Sequence, residues 1–328
     1  MAILKTKKRQ QNPNDCWNQF IRFSSKKFFR LLLILILLAL IPPIFFHFRL
    51  RRIQKLQAKK CGWIKNPPLV CAHGGDPTKA FPNTISAYHS ALSSQVDCIE
   101  VDVSRSSDGI LFALHDRDLQ RISGNETAKV GFLTRKEVRV LLIKELGVKH
   151  LSHQEFHEQE MSTVEDALML ISKSVRHVIL DAKVGPPKYE QGLAKDILSI
   201  VKRTQCQNCI IWAKSDTLAR DIIRLSSDVT VGYIVMSDPV TGARTNLLRM
   251  KKAGVVGVYH PLVDDKLVRV LHGRNKKVYS WTVDEADSMR RMLIEQVDGV
   301  VTNHPAKLRR LMQDIQTQCL EDGFPLPR

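Results

Sequence analysis

The chain has 328 residues, enough for one large α/β barrel with an appendage, and its 50 Lys+Arg against 33 Asp+Glu give a formal net charge of +17. Residues 1–65 hold 15 of the basic residues and a single acid, Asp15, which leaves only +3 for the rest of the chain. A basic nucleic-acid groove is thereby excluded, because the excess flanks an apolar run and the remainder is nearly neutral.

That run, Leu31 to Phe48, reads LLLILILLALIPPIFFHF and is apolar except for His47. Its length lies at the short end of what can span a bilayer. A cleaved signal peptide would carry its apolar core nearer the start and follow it with small residues. Here the run contains Pro42-Pro43 and closes on aromatics and arginines. The expectation is an uncleaved transmembrane signal anchor over 31–48, with a basic tail (1–30) before it and a basic linker (49–68) after it. The prolines are expected to kink or end the helix. Eight basic residues precede the run and seven follow it, so the positive-inside rule leans only slightly to a cytoplasmic N-terminus. Asn125-Glu126-Thr127 is the one N-x-T sequon and needs a lumenal or extracellular setting to carry a glycan, which is the expected placement.

From residue 69 the rhythm is strand, then helix. Strands are predicted at Leu69–Ala72, Cys98–Val103, His177–Asp181, Cys209–Ala213, Thr230–Val235, Val255–Tyr259, Val278–Thr282 and Gly299–Thr302. Helices are predicted at Thr84–Ser93, Tyr189–Arg203, Asp216–Leu225, Asp264–His272, Asp284–Ile294 and Lys307–Cys319. Eight apolar strands alternating with amphipathic helices argue for a (β/α)8 barrel over 69–328. A ninth run, Ile110–Leu114, follows a Ser-Ser-Asp-Gly turn too short for a parallel crossover, so it is predicted to fold back antiparallel on Cys98–Val103. A register centred near Ser107 or Asp108 then brings His115 roughly opposite Glu100 and Asp102. Residues 117–161, with one predicted helix (Thr134–Leu142) and a polar, His-rich part, read as an insertion above the barrel mouth.

Alternation in Ile99-Glu100-Val101-Asp102-Val103 puts both acids on one face of a strand. Paired carboxylates on an inward face are costly unless neutralised. A divalent cation neutralises them, and all-oxygen ligands suit calcium or magnesium rather than zinc. A single acid on a strand is usually solvated, and a single histidine usually structural. Two histidines, His73 and His115, converging on an acid pair outline a hydrolytic metal site. Chemistry in such barrels sits at the C-terminal strand ends, where His73, Glu100, Asp102, Asp181, Lys183 and Trp281 all fall.

The ordered set His73-Gly74-Gly75, Pro82-Asn83-Thr84, Glu100-Val101-Asp102-Val103, Asp108-Gly109 and His115-Asp116 resembles the glycerophosphodiester phosphodiesterase family. That family's pattern runs H-R-G, P-E-N-T, E-x-D-V, D-G and H-D, and the likeness is nearest to plant, membrane-anchored members with H-G-G. Two departures stand out. Gly74 replaces the usual arginine, which removes a bidentate phosphate contact, and Pro82 precedes Asn83 where a glutamate is usual. The resemblance implies a TIM-type barrel of the phospholipase-C-like kind. It also implies metal-dependent hydrolysis of a small-molecule glycerophosphodiester to sn-glycerol 3-phosphate and an alcohol. Glu100, Asp102 and Asp181 would hold Mg2+ or Ca2+, Asp181 being one methylene shorter than the family's glutamate. His73 and His115 would be general base and acid, in an order the sequence does not decide. Lys183, Trp281 and Asn83 would contact substrate, and the nucleophile would be the substrate's own glycerol hydroxyl, giving a cyclic phosphate that water opens. Two alternatives stay open: a lysophospholipase-D-like activity on membrane lipids, and a catalytically weak membrane-bound binding domain.

Other signals carry less. His150, His153 and His157 do not make a zincin motif. Cys206-Gln-Asn-Cys209 is a lone C-x-x-C. Of seven cysteines, six follow the apolar run and permit disulfides in an oxidising compartment, Cys206–Cys209 among them, but spacing does not fix their connectivity.

Overall fold

A computed structural model describes residues 13–145, 162–238 and 240–325. The chain divides into two compact units at Lys59/Lys60. In the first, one helix begins at Pro13 and continues to Cys61, through Pro42 and Pro43. It is long and apolar enough to cross a bilayer, and none of its apolar window is buried by protein. The prolines therefore do not end it, and most of the expected linker is helical. An apolar surface on all sides keeps its backbone paired internally when no water is there to satisfy it, which favours continuing past a proline over fraying.

The second unit is the barrel. Its strands are β1 (Leu69–His73), β2 (Cys98–Arg105), β3 (Leu111–Phe112), β4 (His177–Ala182), β5 (Cys209–Ala213), β6 (Thr230–Val235), β7 (Val255–Tyr259), β8 (Lys277–Trp281) and β9 (Gly299–Thr302). All but β3 run parallel, and β1 pairs with both β2 and β9, so the sheet closes on itself. Inside, Trp212 and Tyr279 meet edge to face with ring centroids 6.4 Å apart. Gly257 makes room for them: a Cβ there would lie 2.7 Å from Ile234 Cδ1 and 3.1 Å from the Trp212 ring. Outside, Ile99, Val101 and Val103 join the apolar layer under the helices, so the period of two turns Glu100 and Asp102 inward.

β3 pairs with β2 through Ser104↔Phe112 and Arg105↔Leu111, a hairpin centred on Asp108 as the turn predicts. The Ser106 hydroxyl donates to Asp108 Oδ1 and accepts from the Ile110 amide, tying the turn. The chain then enters a helix, Asp116–Ser123, which the sequence pattern did not reveal because it is one short amphipathic stretch among many charges. A second helix, Arg135–Glu145, follows, and Phe112, Leu114, Leu119, Val130 and Val138 form a satellite core beneath this insertion. His150, His153 and His157 lie outside the described residues.

Three disulfides close in the barrel unit: Cys61–Cys319, Cys71–Cys98 and Cys206–Cys209. Cys61, Trp63 and Ile64 are buried against Leu293, Ile315 and Cys319, so the unit begins before the boundary at residue 69 that the strand pattern suggests.

Candidate active site

Parallel register assembles the site. β1 pairs with β2 so that His73 lies beside Glu100, and β2 pairs with β4 so that Asp102 lies beside Asp181. One carboxylate oxygen from each of Glu100, Asp102 and Asp181 lies within 4.8 Å of the others. Glu100 and Asp102 are each only 1 % exposed, which makes their charges expensive without a cation.

Each acid has a fixed partner. The Gly74 amide donates to Glu100 Oε2 at 3.0 Å, from a residue whose φ of +64° suits glycine and not a side chain. Asn83 donates from Nδ2 to Asp102 Oδ2 at 2.9 Å, while its Oδ1 accepts from the Asp102 amide at 3.1 Å and from the Tyr88 hydroxyl at 3.3 Å. Asn83 is fully buried. Asn83, expected at substrate, has both side-chain polar atoms engaged with Asp102 and Tyr88.

Lys183 follows β4 and turns back into the acid cluster. Its Nζ lies 2.7 Å from Asp102 Oδ1 and also bonds Asp181 Oδ2. Burial opposes its charge, but Asp102 and Asp181 raise its pKa far above the ordinary lysine value. Burial likewise opposes the Asp102 carboxylate, and Lys183, with His73, still holds it well below the usual range. Glu100 goes the other way: burial first, then Asp102, pushes its pKa well up, beyond what Lys183 offsets. One ammonium does not neutralise three acids. Asp181 Oδ1 is buried with no hydrogen-bond partner, and Asp102 Oδ1 meets only the Lys183 ammonium. Oriented, under-neutralised oxygen donors of this kind fit a hard divalent cation.

His73 Nδ1 lies 2.8 Å from Asn303 Oδ1, and its Nε2 lies 4.0 Å from Glu100 Oε2. His115 sits at the N-cap of the Asp116–Ser123 helix, its Nδ1 accepting from the Arg117 amide at 3.1 Å. Burial, reinforced by the Lys183 charge, pushes His115 down to about 3. The Arg117 guanidinium reaches over to His73, Nη2 to Nε2 3.4 Å. A cavity of about 890 Å³ opens here, lined among others by His73, Asp102, Arg117, Arg121, Thr282, Asn303 and Lys79. Trp281 is half-buried against Tyr259, ring centroids 5.6 Å apart, with Lys214 Nζ 5.7 Å over its ring.

Sequence reasoning did not single out Arg117, Lys214, Asp284 or Asn303. The last three follow β5, β8 and β9, so the strand-end rule applied to every strand would have flagged them. Arg117 had no such signal, since only the unforeseen helix turns it toward His73.

Comparison with known proteins adds to this geometry. Residues 73–307 match the glycerophosphoryl diester phosphodiesterase family. A glycerophosphodiester phosphodiesterase of Arabidopsis thaliana, GDPD4, is 58% identical, with 99% of each chain covered. A bacterial glycerophosphodiester phosphodiesterase from Caldanaerobacter subterraneus is 26% identical over 75% of this chain and 98% of its own length. Among solved structures, an Oleispira antarctica phosphodiesterase in complex with the product sn-glycerol-3-phosphate superposes with a TM-score of 0.63 at 20% identity, covering 75% of this chain and 97% of that one.

Proposed function

This chain belongs to the glycerophosphoryl diester phosphodiesterase family and hydrolyses glycerophosphodiesters to sn-glycerol 3-phosphate and an alcohol; on that premise we propose how its own residues divide the work. Glu100, Asp102 and Asp181 would hold the divalent cation, Mg2+ or Ca2+, which when bound neutralises charge on the phosphoryl oxygens. Gly74 and Asn83 fix two of those carboxylates from behind. His73 and His115 move the protons, because imidazole is the side chain suited to that near neutrality and one of each role is needed. Lys183 balances phosphate charge. Arg117 stands at the same mouth as His73 and among the described residues has no carboxylate partner, so it takes the phosphate contact that Gly74 cannot make. Trp281 gives the glycerol moiety an apolar wall.

The observation that carries this reading is the register itself, which brings His73, Glu100, Asp102 and Asp181 to one rim. Retention of both histidines with all three acids disfavours a mere binding domain, which has no need of that set. The test is the full chain in detergent micelles, assayed on glycerophosphocholine with calcium, magnesium or chelator. Turnover that needs a divalent cation and falls by about 10²–10⁴-fold in His73→Ala and His115→Ala supports it. Full turnover in either variant refutes the assignment. An acylated glycerophosphodiester run alongside decides the lysophospholipase-D-like reading, which requires the acyl chain to raise kcat/KM.

The apolar helix is read as a single-pass membrane anchor. Three disulfides and an exposed Asn125 sequon support a lumenal or extracellular barrel, where bridges persist and the sequon is glycosylated.

A further inference from the structure

Asp284 and Asn303, just past β8 and β9, form a pair that the hydrolytic scheme above does not use. Asp284 Oδ1 accepts from the Asn303 backbone amide at 2.8 Å, and its Oδ2 accepts from Asn303 Nδ2 at 2.8 Å. A carboxylate only accepts, so the Asn303 amide group is oriented without ambiguity: Nδ2 faces Asp284 and Oδ1 faces His73. His73 Nδ1, at 2.8 Å from that oxygen, must be the donor. The neutral ring then carries its proton on Nδ1 and its lone pair on Nε2.

A second observation reaches the same tautomer independently. Arg117 Nη2 lies 3.4 Å from His73 Nε2, and a guanidinium has donors only. Across the site the constraint is reversed. His115 Nδ1 faces the Arg117 backbone N–H, which can only donate, so the neutral His115 ring keeps its proton on Nε2. The two rings are opposite tautomers, one offering a lone pair and the other a proton.

We propose that Asp284 and Asn303 are positioning residues that hold His73 as the base and leave His115 as the proton donor, an inference that rests on the assignment of those two histidines above. His73 Nε2 takes the proton of the attacking hydroxyl as the new O–P bond forms. The P–O bond to the head-group alcohol breaks, and that oxygen takes the proton on His115 Nε2. Water then attacks the cyclic phosphate, its proton passing to His115 Nε2 as the new O–P bond forms. The ring P–O bond breaks and the released glycerol oxygen takes the proton on His73 Nε2, so both imidazoles return to their starting state. Asp284→Asn upsets the arrangement in a specific way. An asparagine at 284 can donate to Asn303 Oδ1, which flips the Asn303 amide, turns Nδ2 toward His73 and selects the wrong tautomer.

The test uses the full chain in micelles, free of added metal for spectroscopy and with calcium or magnesium for kinetics. In protein labelled with 15N-histidine, and with the His73 signal assigned through His73→Gln, the wild-type ring is expected as Nδ1–H and the Asp284→Asn ring as Nε2–H. Kinetics compare glycerophosphocholine with the p-nitrophenyl ester of glycerol 3-phosphate, whose leaving group needs no proton. Asp284→Asn and Asn303→Leu should lose about 10²–10⁴-fold in kcat on both substrates, while His115→Ala recovers on the nitrophenyl ester. The swapped pair, Asp284→Asn with Asn303→Asp, restores an acceptor to His73 and should return kcat to within about tenfold of wild type. Recovery of the Asp284 or Asn303 variants on the nitrophenyl ester, or an Nε2–H ring at His73 in the wild type, overturns the proposal; the wild-type spectrum decides even where single variants fail to fold. Full turnover in His73→Gln would instead sink the histidine assignment beneath it, with the tautomer measurement still standing as read.

Discussion

Lys183 Nζ lies 2.7 Å from Asp102 Oδ1 and bonds Asp181 as well, so a side-chain cation stands inside the acid cluster that a metal ion would occupy. Removing it leaves three gathered carboxylates without their nearest positive charge. Lys183→Met should therefore destabilise the metal-free protein by about 3–5 kcal/mol, the usual cost of breaking a buried pair from one side. Adding calcium or magnesium should narrow that gap. Thermal unfolding in chelator and in each metal checks it, and equal Tm deficits in all three would count against a shared cation position.

Asn83 holds Asp102 from two sides, so its effect should fall on the ion rather than on substrate. Asn83→Gly keeps a backbone that tolerates the φ of +64° while deleting the amide. Metal affinity by titration calorimetry should fall about 10–100-fold, as is usual when an outer partner of a ligand is lost. A rise in KM at saturating metal, with affinity for the ion unchanged, would restore Asn83 to the substrate.

Arg117 offers a charged donor at the mouth. Arg117→Ala should cost about 1.5–3 kcal/mol of binding to the phosphodiester, which reads as roughly a 10–150-fold rise in KM. Arg117→Lys should recover part of it, since the charge returns without the planar fork. An unchanged KM would mean that the arginine replaced by Gly74 has no substitute at this position.

His115 makes stability depend on pH. Its ring is held down to about 3 in the folded chain, chiefly by burial with the Lys183 charge in support. Unfolded, it titrates near its ordinary value of about 6.5. Between those two values the unfolded chain binds more protons, so stability falls as pH drops through that window and this contribution is flat above it. The slope is at most about 1.4 kcal/mol per pH unit. Urea midpoints in chelator should therefore fall faster for wild type than for His115→Gln between about pH 6.5 and pH 5. Parallel curves would contradict the burial of a neutral ring.

The Cys61–Cys319 bridge joins residues 258 apart and ties the start of the barrel unit to its last helix. Cys319→Ser should cost about 2–5 kcal/mol, read as a lower Tm under non-reducing conditions. A fragment starting at residue 66 lacks Cys61, Trp63 and Ile64, and should melt lower than one starting at residue 60. Equal melting of the two fragments would deny the short segment its share of the core.

Strand periodicity made most of the barrel legible. The predicted strands at Cys209–Ala213, Thr230–Val235, Val255–Tyr259 and Gly299–Thr302 have the bounds found in the fold. Each is a mostly buried, mostly apolar run bounded by turn chemistry, and such runs declare themselves locally. The acid pair Glu100 and Asp102 was legible for the same reason, since a period of two needs only five consecutive residues. The Asp116–Ser123 helix was not, because only Leu119 and Ile122 mark its apolar side among six polar or charged residues, too short a stretch to read. That the first helix does not end at Pro42-Pro43 was not legible either, because the local cost of proline does not reveal the apolar surface that favours a continuous helix.

By itself, the sequence determined the alternation that points two acids inward, the hairpin that carries His115 back toward them, and the apolar helix ahead of the barrel. These depend on neighbours a few residues apart, whose geometry the backbone dictates. Only the closed barrel decided what each group faces: Asn83 turned to Asp102, Arg117 to His73, and Asn303, anchored by Asp284, to the far side of the same ring. Those partners lie from 19 to 230 residues apart along the chain. No local rule links them, because their meeting is set by tertiary structure: the β1–β2 register for Asn83, the helix after the hairpin for Arg117, and the β1–β9 pairing that completes the circle for Asn303.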